Sequence, residues 1–182
     1  MLRQTAFGIA LSTLVLASGF MTASTPGNSS TNKTSKNQQS FGIFTQAVAS
    51  NVTFETTSLE KSVFEQINQY RAVHGLPKLT LNANISHQAR IHSQNMANGK
   101  VPFSHNGFEM RVKAIPLKYN SAAENVAFNL GYSNPAQQAV IGWINSPGHL
   151  KNLKGRYNLT GVGVAANSKG EVYLTQIFLN TR

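Results

Sequence analysis

Residues 142–152, GWINSPGHLKN, are the stretch on which the predicted fold depends, and they include the only tryptophan of the chain, Trp143. Upstream, the Asn-Pro pair at 134–135 predicts a helix start, with asparagine as N-cap and proline at the first helical position. The Ser-Pro pair at 146–147 ends that helix and predicts a second short one, with the serine as its N-cap. This helix–break–helix pattern predicts a fixed position for His149.

Two longer helices are predicted before this stretch. Apolar residues recur at helical spacing over 59–70, so the folded part is predicted to begin with a helix near Ser58. A second helix is predicted over 85–96, after an extended connector at 76–81. His92 lies in the apolar stripe of this second helix, and we interpret it as a packed core histidine rather than a ligand.

The C-terminal part of the chain predicts a β-hairpin. Residues 159–166 and 172–179 are rich in β-branched and apolar residues, and 167–170 supplies the loop between them. Gly161 and Gly163 lie inside the first strand, which indicates that another backbone or a ligand approaches closely there. Helices first and a hairpin last predict an α+β domain with helices packed on an antiparallel sheet.

The N-terminal region predicts export. Residues 1–23 combine a positive tip, a short apolar block and small residues, which is typical of a secretory signal peptide. The alternative is an uncleaved membrane anchor, but the apolar block is short for a membrane span. Residues 24–57 predict a low-complexity flexible linker, and 58–182 the domain. We therefore expect a secreted protein, extracellular or periplasmic, with no transmembrane span in its mature form.

Composition excludes several kinds of chemistry. The chain has no cysteine, so thiol nucleophiles, disulfides and cysteine-based zinc sites are excluded. It also has no aspartate, which argues against EF-hand loops and a Ser-His-Asp triad. Ser104 and Ser146 are interpreted as capping and hydrogen-bonding residues rather than nucleophiles.

The charge balance predicts an affinity for anionic surfaces. Lysine and arginine number 16 against 6 glutamates, a formal net charge of +10. The cations are scattered, without a basic stripe interleaved with aromatic residues, so no specific nucleic-acid binding is predicted. Cell-wall polymers and lipid headgroups are the expected anionic partners.

Three ionisable residues, His105, Glu124 and His149, are the candidate site. Two imidazoles and a carboxylate could hold a divalent cation, zinc being the usual one, with water completing the coordination shell. The same residues could perform acid–base catalysis on a substrate held between the histidines. Their spacing alone leaves a third possibility open, that both histidines are structural. No organic cofactor is predicted.

Six segments together resemble the CAP superfamily, which comprises cysteine-rich secretory proteins, antigen 5 and pathogenesis-related 1 proteins, and the resemblance is greatest to its short secreted bacterial members. They follow one another in the family's order: INQYR with GLP at 67–77, 89–96, FSH at 103–105, AENVA at 123–127, GWINSPGHLKN at 142–152, and GVGV at 161–164.

The resemblance implies a three-layer α-β-α sandwich with a central antiparallel sheet and a cleft that usually carries two histidines and two glutamates. His105 and His149 match the histidines, and Glu124 matches the first glutamate. The second glutamate is expected shortly after the tryptophan, where residues 144–146 contain no acid. The incomplete set weakens an acid–base pair or a four-ligand metal site more than a site built on the two histidines.

Two functions follow from this resemblance. The first, which we favour, is a monomeric extracellular binding module with a cell-wall polymer, lipid or protein as partner. The alternative is a metal-dependent, protease-like hydrolase that works through His105, Glu124 and His149. A cleft that only supports folding is a third possibility. The role of Glu124 as metal ligand, catalytic group or hydrogen-bonding brace stays open at this point.

Overall fold

A computed structural model describes residues 40–181, with side chains from Glu55 onward. The predicted signal peptide at 1–23 and the linker residues up to 39 lie outside the described residues. The elements are α1 (Ser40–Val73), β1 (Thr80–Leu81), α2 (Ala83–Ala97), α3 (Phe108–Lys113), β2 (Ser121–Leu130), α4 (Pro135–Ile144), α5 (Pro147–Leu153), β3 (Leu159–Ala166) and β4 (Glu171–Asn180). None of the helices within the described part is long and apolar enough to span a membrane.

The four strands form one sheet in the order β1-β3-β4-β2. The predicted hairpin is confirmed, because β3 and β4 pair antiparallel, and β2 pairs antiparallel with the other side of β4. The sheet is mixed rather than purely antiparallel, because Thr80–Leu81, the end of the predicted connector, pairs parallel with β3.

Helices cover both faces of this sheet, which confirms the α+β fold and its layers. On one face, α2 and α3 pack through Ile85, Ala89, Phe108 and Val112 against a core that includes Ile177. On the other face, α1, α4 and α5 enclose a second core around Trp143, with the following buried members: Val63, Ile67, Ala136, Ala139, Val140, Leu153, Val162, Val164, Leu174 and Phe178. Each half of the core is therefore a helix layer packed on one sheet face.

The two glycines of β3 lie directly beneath the backbone of α2. A Cβ atom on Gly163 would lie 2.1 Å from the backbone nitrogen of Arg90, and one on Gly161 would lie 2.2 Å from that of Ser86. The close approach expected from these glycines is therefore confirmed, and the approaching group is a helix backbone.

The helix–break–helix forms as predicted and closes the outer edge of β2. Asn134 caps α4 by accepting a hydrogen bond from the Gln137 backbone N–H. At the other end of α4, the indole Nε1 of Trp143 donates to the carbonyl oxygen of Val126 at 3.0 Å. The tryptophan thus satisfies a carbonyl of an edge strand while filling the core.

Helix α1 begins earlier than the sequence pattern predicted. It starts at Ser40 rather than near Ser58, so residues 40–57, predicted as linker, belong to the helix. Phe41, Phe44, Val48 and Val52 continue a helical spacing upstream of Ser58. The polar composition of 24–57 predicted a linker and outweighed this spacing.

Strand β2 was not assigned from the sequence. Five consecutive residues at 122–126 are buried, so the strand has no alternation of apolar and polar side chains. Two of the five, Glu124 and Asn125, are also polar residues of low β-propensity. The strand is recognisable only from its ladder with β4, in which Ser121 pairs with Asn180 and Leu130 with Glu171.

We expect Gly163→Ala to destabilise the protein by about 3 kcal/mol. This is the upper end of the usual range for overpacking, because the atoms that a Cβ would meet belong to the backbone of α2. The matched control is Gly142→Ala in α4, where a Cβ meets nothing within 4 Å. Since alanine is the better helix former, the control should gain about 0.5–1 kcal/mol. Urea denaturation of both variants measures the difference, and equal stabilities would contradict the close approach of α2.

Candidate functional site

The centre of the candidate site is the carboxylate of Glu124 on β2. Its side chain is only 1% exposed, and Oε1 accepts a hydrogen bond from Nδ1 of His105 at 3.0 Å. His105 lies in the loop between α2 and α3, and its side chain is 17% exposed. A buried carboxylate that accepts from the ring N–H of a histidine fixes the orientation of that ring.

A guanidinium that sequence reasoning missed holds the same carboxylate. Arg111 on α3 donates through Nη2 to Oε1 of Glu124 at 2.7 Å and through Nε to Oε2 at 3.0 Å. Its Nη1 also donates to the carbonyl oxygen of Asn106 at 2.7 Å, which ties the His105 loop to α3. This bidentate pair compensates the buried charge of Glu124.

The second histidine of the site lies beside the first. His149 is buried in α5, and its ring centroid is 6.5 Å from that of His105. Its Nδ1 shares a hydrogen bond with the hydroxyl of Ser146 at 2.9 Å. Ser146 occupies the N-cap position of α5, as predicted, but its hydroxyl makes no capping hydrogen bond and contacts the imidazole instead.

Burial disfavours the protonated form of His149. The pKa of His149 lies below its usual value, first because burial penalises the imidazolium and second because His105 adds repulsion. The neutral ring is the form that binds a transition metal or accepts a hydrogen bond from a ligand. The surroundings of His149 therefore favour the ligand-binding form.

Two buried amides connect β2 to the helix that carries His149. Nδ2 of Asn152 donates to Oδ1 of Asn125 at 2.8 Å and to the carbonyl oxygen of Glu124 at 3.2 Å. Asn152 lies one turn after His149 on α5. The relative position of the two imidazoles therefore depends on hydrogen bonds made away from the cleft.

The donor set fits a pair of histidine ligands better than a three-residue metal site. Within residues 55–181, no three His, Cys, Asp or Glu side chains come together as a metal-binding group. Both oxygens of Glu124 are engaged by Arg111, and one of them also by His105. Of the three roles left open for Glu124, this geometry favours that of a brace for His105.

His92 is packed in the core, as predicted. It is buried, and its Nε2 donates to the carbonyl oxygen of Ser104 at 2.8 Å. The hydroxyl of Ser104 accepts from the backbone N–H of Asn106, so Ser104 is a hydrogen-bonding residue, as expected. Burial, and next the positive charge of Arg111, lower the pKa of His92.

Partly exposed aromatic side chains form a wall that includes a residue of the His105 loop, a feature that the sequence did not indicate. The ring centroid of Phe128 lies 6.3 Å from that of Phe103 and 5.1 Å from that of Tyr173. Phe103 and Phe128 are 47% and 42% exposed. Since Phe103 precedes His105 by two residues, exposed apolar surface and the His105 imidazole lie on neighbouring positions of one loop.

Comparison with known families gives a match over most of the described chain. The model of the cysteine-rich secretory protein family, CAP, matches residues 64–178. The uncharacterized protein YkwD of Bacillus subtilis is 33% identical over 126 residues, which covers 66% of this chain and 47% of that protein. The chain therefore spans less than half the length of this curated relative.

Solved structures show the same fold. An extracellular protein containing an SCP domain from Bacillus anthracis has a TM-score of 0.58 and 27% identity, over 69% of this chain and 41% of that chain. An outer surface protein of Borrelia burgdorferi has a TM-score of 0.62 at 17% identity, over 70% and 96% of the two chains. At that identity, the second likeness concerns the fold alone.

We expect Arg111→Gln to lower the free energy of unfolding by about 3–5 kcal/mol, because it leaves the carboxylate of Glu124 buried without its cation. Glu124→Gln should cost a comparable amount, since it leaves the guanidinium unpaired in a site where it is 11% exposed. The double variant should lose less than the sum of both. Urea denaturation of the four proteins measures this coupling, and strict additivity would contradict a buried ion pair.

Stability should fall as the pH decreases from about 7 to 5, because the pKa of His92 is lower in the folded protein than in the unfolded chain. The unfolded chain then binds more protons, which costs up to about 1.4 kcal/mol per pH unit for one histidine. The His92→Gln variant should show a shallower dependence. Urea midpoints at several pH values measure it, and an unchanged slope would contradict the assignment.

Proposed function

The chain belongs to the cysteine-rich secretory protein family, and we propose that it is an extracellular binding module whose cleft holds a divalent cation, zinc by preference, between His105 and His149. The extracellular setting is supported by the structural neighbour from Bacillus anthracis, which is described as an extracellular protein. The predicted signal peptide at 1–23 agrees with it.

The observation that carries the proposal is the way in which both imidazoles are oriented. Nδ1 of His105 is held by Glu124, and Nδ1 of His149 by Ser146. Metal-binding histidines usually donate their second ring N–H to such a partner, which leaves Nε2 free to coordinate. With Nδ1 as the donor in both rings, the two Nε2 atoms are the ones left to coordinate a metal, and water or a ligand would complete the shell.

Binding is better supported than hydrolysis. The second acid of the family's set is missing at 144–146, and the carboxylate of Glu124 is already held by Arg111 and His105. A hydrolase needs a free general base within reach of a water molecule, and a carboxylate fixed in this way is a poor candidate. The aromatic wall at Phe103 and Phe128 instead suits a partner with apolar groups.

Zinc titration calorimetry on the purified protein tests the proposal. We expect His105→Ala and His149→Ala each to weaken zinc binding at least about tenfold, because each removes one ligand from the pair. The matched control is His87→Ala, which removes an exposed histidine of α2 that is not a partner of the cleft residues. Thermal melts of the same samples check that the fold is retained.

Unaltered zinc affinity in both cleft variants would overturn the two-histidine site. Equal weakening in the His87→Ala control would do the same, because it would point to nonspecific binding by surface imidazoles. If zinc binds with the expected dependence, added metal should leave peptide and ester substrates intact, since the binding role has no need of hydrolysis. Metal-dependent turnover would favour the hydrolase alternative.

A further inference from the structure

Several exposed cations of residues 55–181 lie close to one another at one end of the sheet. Among the ion pairs of the described residues, Glu60 binds Arg90, Glu65 binds Lys61, and Glu124 binds Arg111 and His105. Eight exposed cations of the described residues take part in none of these pairs, and four of the eight lie on segments that meet at one end of the sheet. We call these four side chains the basic pole: Lys78, Lys118, Lys154 and Arg156.

The buried guanidinium of Arg71 brings most of the pole together. Arg71 is 1% exposed, and its Nε donates to the carbonyl oxygen of Pro77 at 2.8 Å. Its Nη1 donates to the carbonyl oxygens of Leu153 at 2.7 Å and Gly155 at 3.0 Å. One side chain of α1 therefore fixes two chain segments that are far apart in sequence.

Three of the four cations are direct neighbours of these carbonyls. Lys78 follows Pro77, Lys154 precedes Gly155, and Arg156 follows it. All three side chains are exposed. Because their backbone is held by a buried group, the points from which the three side chains extend are fixed before any ligand arrives, and no backbone entropy has to be lost there on binding.

The fourth cation, Lys118, lies just before β2, and hydrogen bonds through Asn180 connect its segment to that of Arg156. Nδ2 of Asn180 donates to the carbonyl oxygen of Arg156 at 2.7 Å, and the backbone N–H of Asn120 donates to that of Asn180 at 2.7 Å. Lys118 lies two residues before Asn120 and is exposed. The segments 77–80, 117–120 and 153–158 contain no glutamate, so nothing in them neutralises the four charges.

We propose that the basic pole binds a linear phosphodiester polymer of the cell wall through its phosphate groups. Several cations carried by one rigid stretch of surface favour a ligand with several anionic groups in a row, and lysine and arginine are the usual partners of phosphate. The inference rests on the proposed extracellular setting, but it concerns a surface separate from the cleft and does not depend on zinc.

The placement of the aromatic residues favours a phosphodiester polymer without bases over a single-stranded nucleic acid. Among the described residues, the exposed aromatic side chains are Phe103, Phe128 and Tyr132, near the end of β2 that pairs with Glu171. The pole lies at the opposite end of this strand. Single-stranded nucleic acid needs exposed aromatic rings for base stacking, and none of the exposed aromatic side chains in the described part of the chain lies at the pole.

The test compares two triple variants that lose the same charge. Lys78→Gln/Lys118→Gln/Lys154→Gln removes three cations from the pole, and the matched control removes three exposed lysines elsewhere, by Lys61→Gln/Lys100→Gln/Lys169→Gln. Fluorescence anisotropy follows binding of labelled poly(glycerol phosphate) to the wild type and both variants over a range of KCl concentrations. Zinc titration and thermal melts of each variant check the cleft and the fold.

We expect the pole variant to bind the polymer at least about tenfold more weakly at low salt, while the control stays within about twofold of the wild type. The slope of log affinity against log salt should fall by about 2, since each lost phosphate contact contributes about 0.7. Zinc binding should be unchanged in both variants. A failure of this inference is thus distinguishable from a failure of the two-histidine site.

Three results would overturn the proposal. Equal losses in both triple variants would assign binding to net charge rather than to the pole, and absence of polymer binding by the wild type would exclude it outright. Vesicles of phosphatidylcholine with phosphatidylglycerol, and a single-stranded oligonucleotide, are tested in parallel. Tighter pole-dependent binding to either of them than to the polymer would replace the proposed partner.

Discussion

The outer edge of β2 is the constraint on which the cleft depends. An edge strand presents unpaired carbonyl groups, and here two of them are satisfied by side chains: Trp143 donates to Val126, and Asn152 donates to Glu124. These bonds prevent the edge from pairing with another chain. They also determine where α4 and α5 lie, and His149 comes to its place beside His105 as a result. The protection of a strand edge and the assembly of a site are therefore achieved by the same contacts.

The buried carboxylate of Glu124 couples the other half of the cleft to stability. A charge that is 1% exposed needs a cation and hydrogen bonds, and Arg111 and His105 supply both. Because Arg111 also binds the loop carbonyl of Asn106, the loop that carries His105 is ordered by the group that neutralises the acid. The second acid of the family's set is absent, and this ion pair gives Glu124 a structural reason to be retained whether or not the cleft performs catalysis.

Local rules predicted the features that depend on neighbouring residues. Proline, asparagine and serine placed the α4–α5 break, turn residues and β-branched runs placed the β3–β4 hairpin, and Gly161 with Gly163 indicated the close approach of a backbone. Strand β2 was not predicted, because it is defined by its pairing with β4. The role of Arg111 was not predicted either, because its partner Glu124 lies 13 residues away. The proximity of His105 and His149 was expected only from the resemblance, since nothing local relates residues so distant in sequence.

The backbone carbonyl groups that accept hydrogen bonds from Arg71 hold the backbone of the basic pole in place, and this support does not depend on the charges at the surface. The ligands of this guanidinium are backbone dipoles in the interior, and they are screened by dissolved ions far less than exposed charges are. The lysines of the basic pole face water and are screened within about 10 Å at moderate ionic strength. A rise in salt would therefore weaken attachment to a polyanion without loosening the surface that makes it. Such a protein could be washed off a charged matrix and reattach in the same geometry once the salt is diluted.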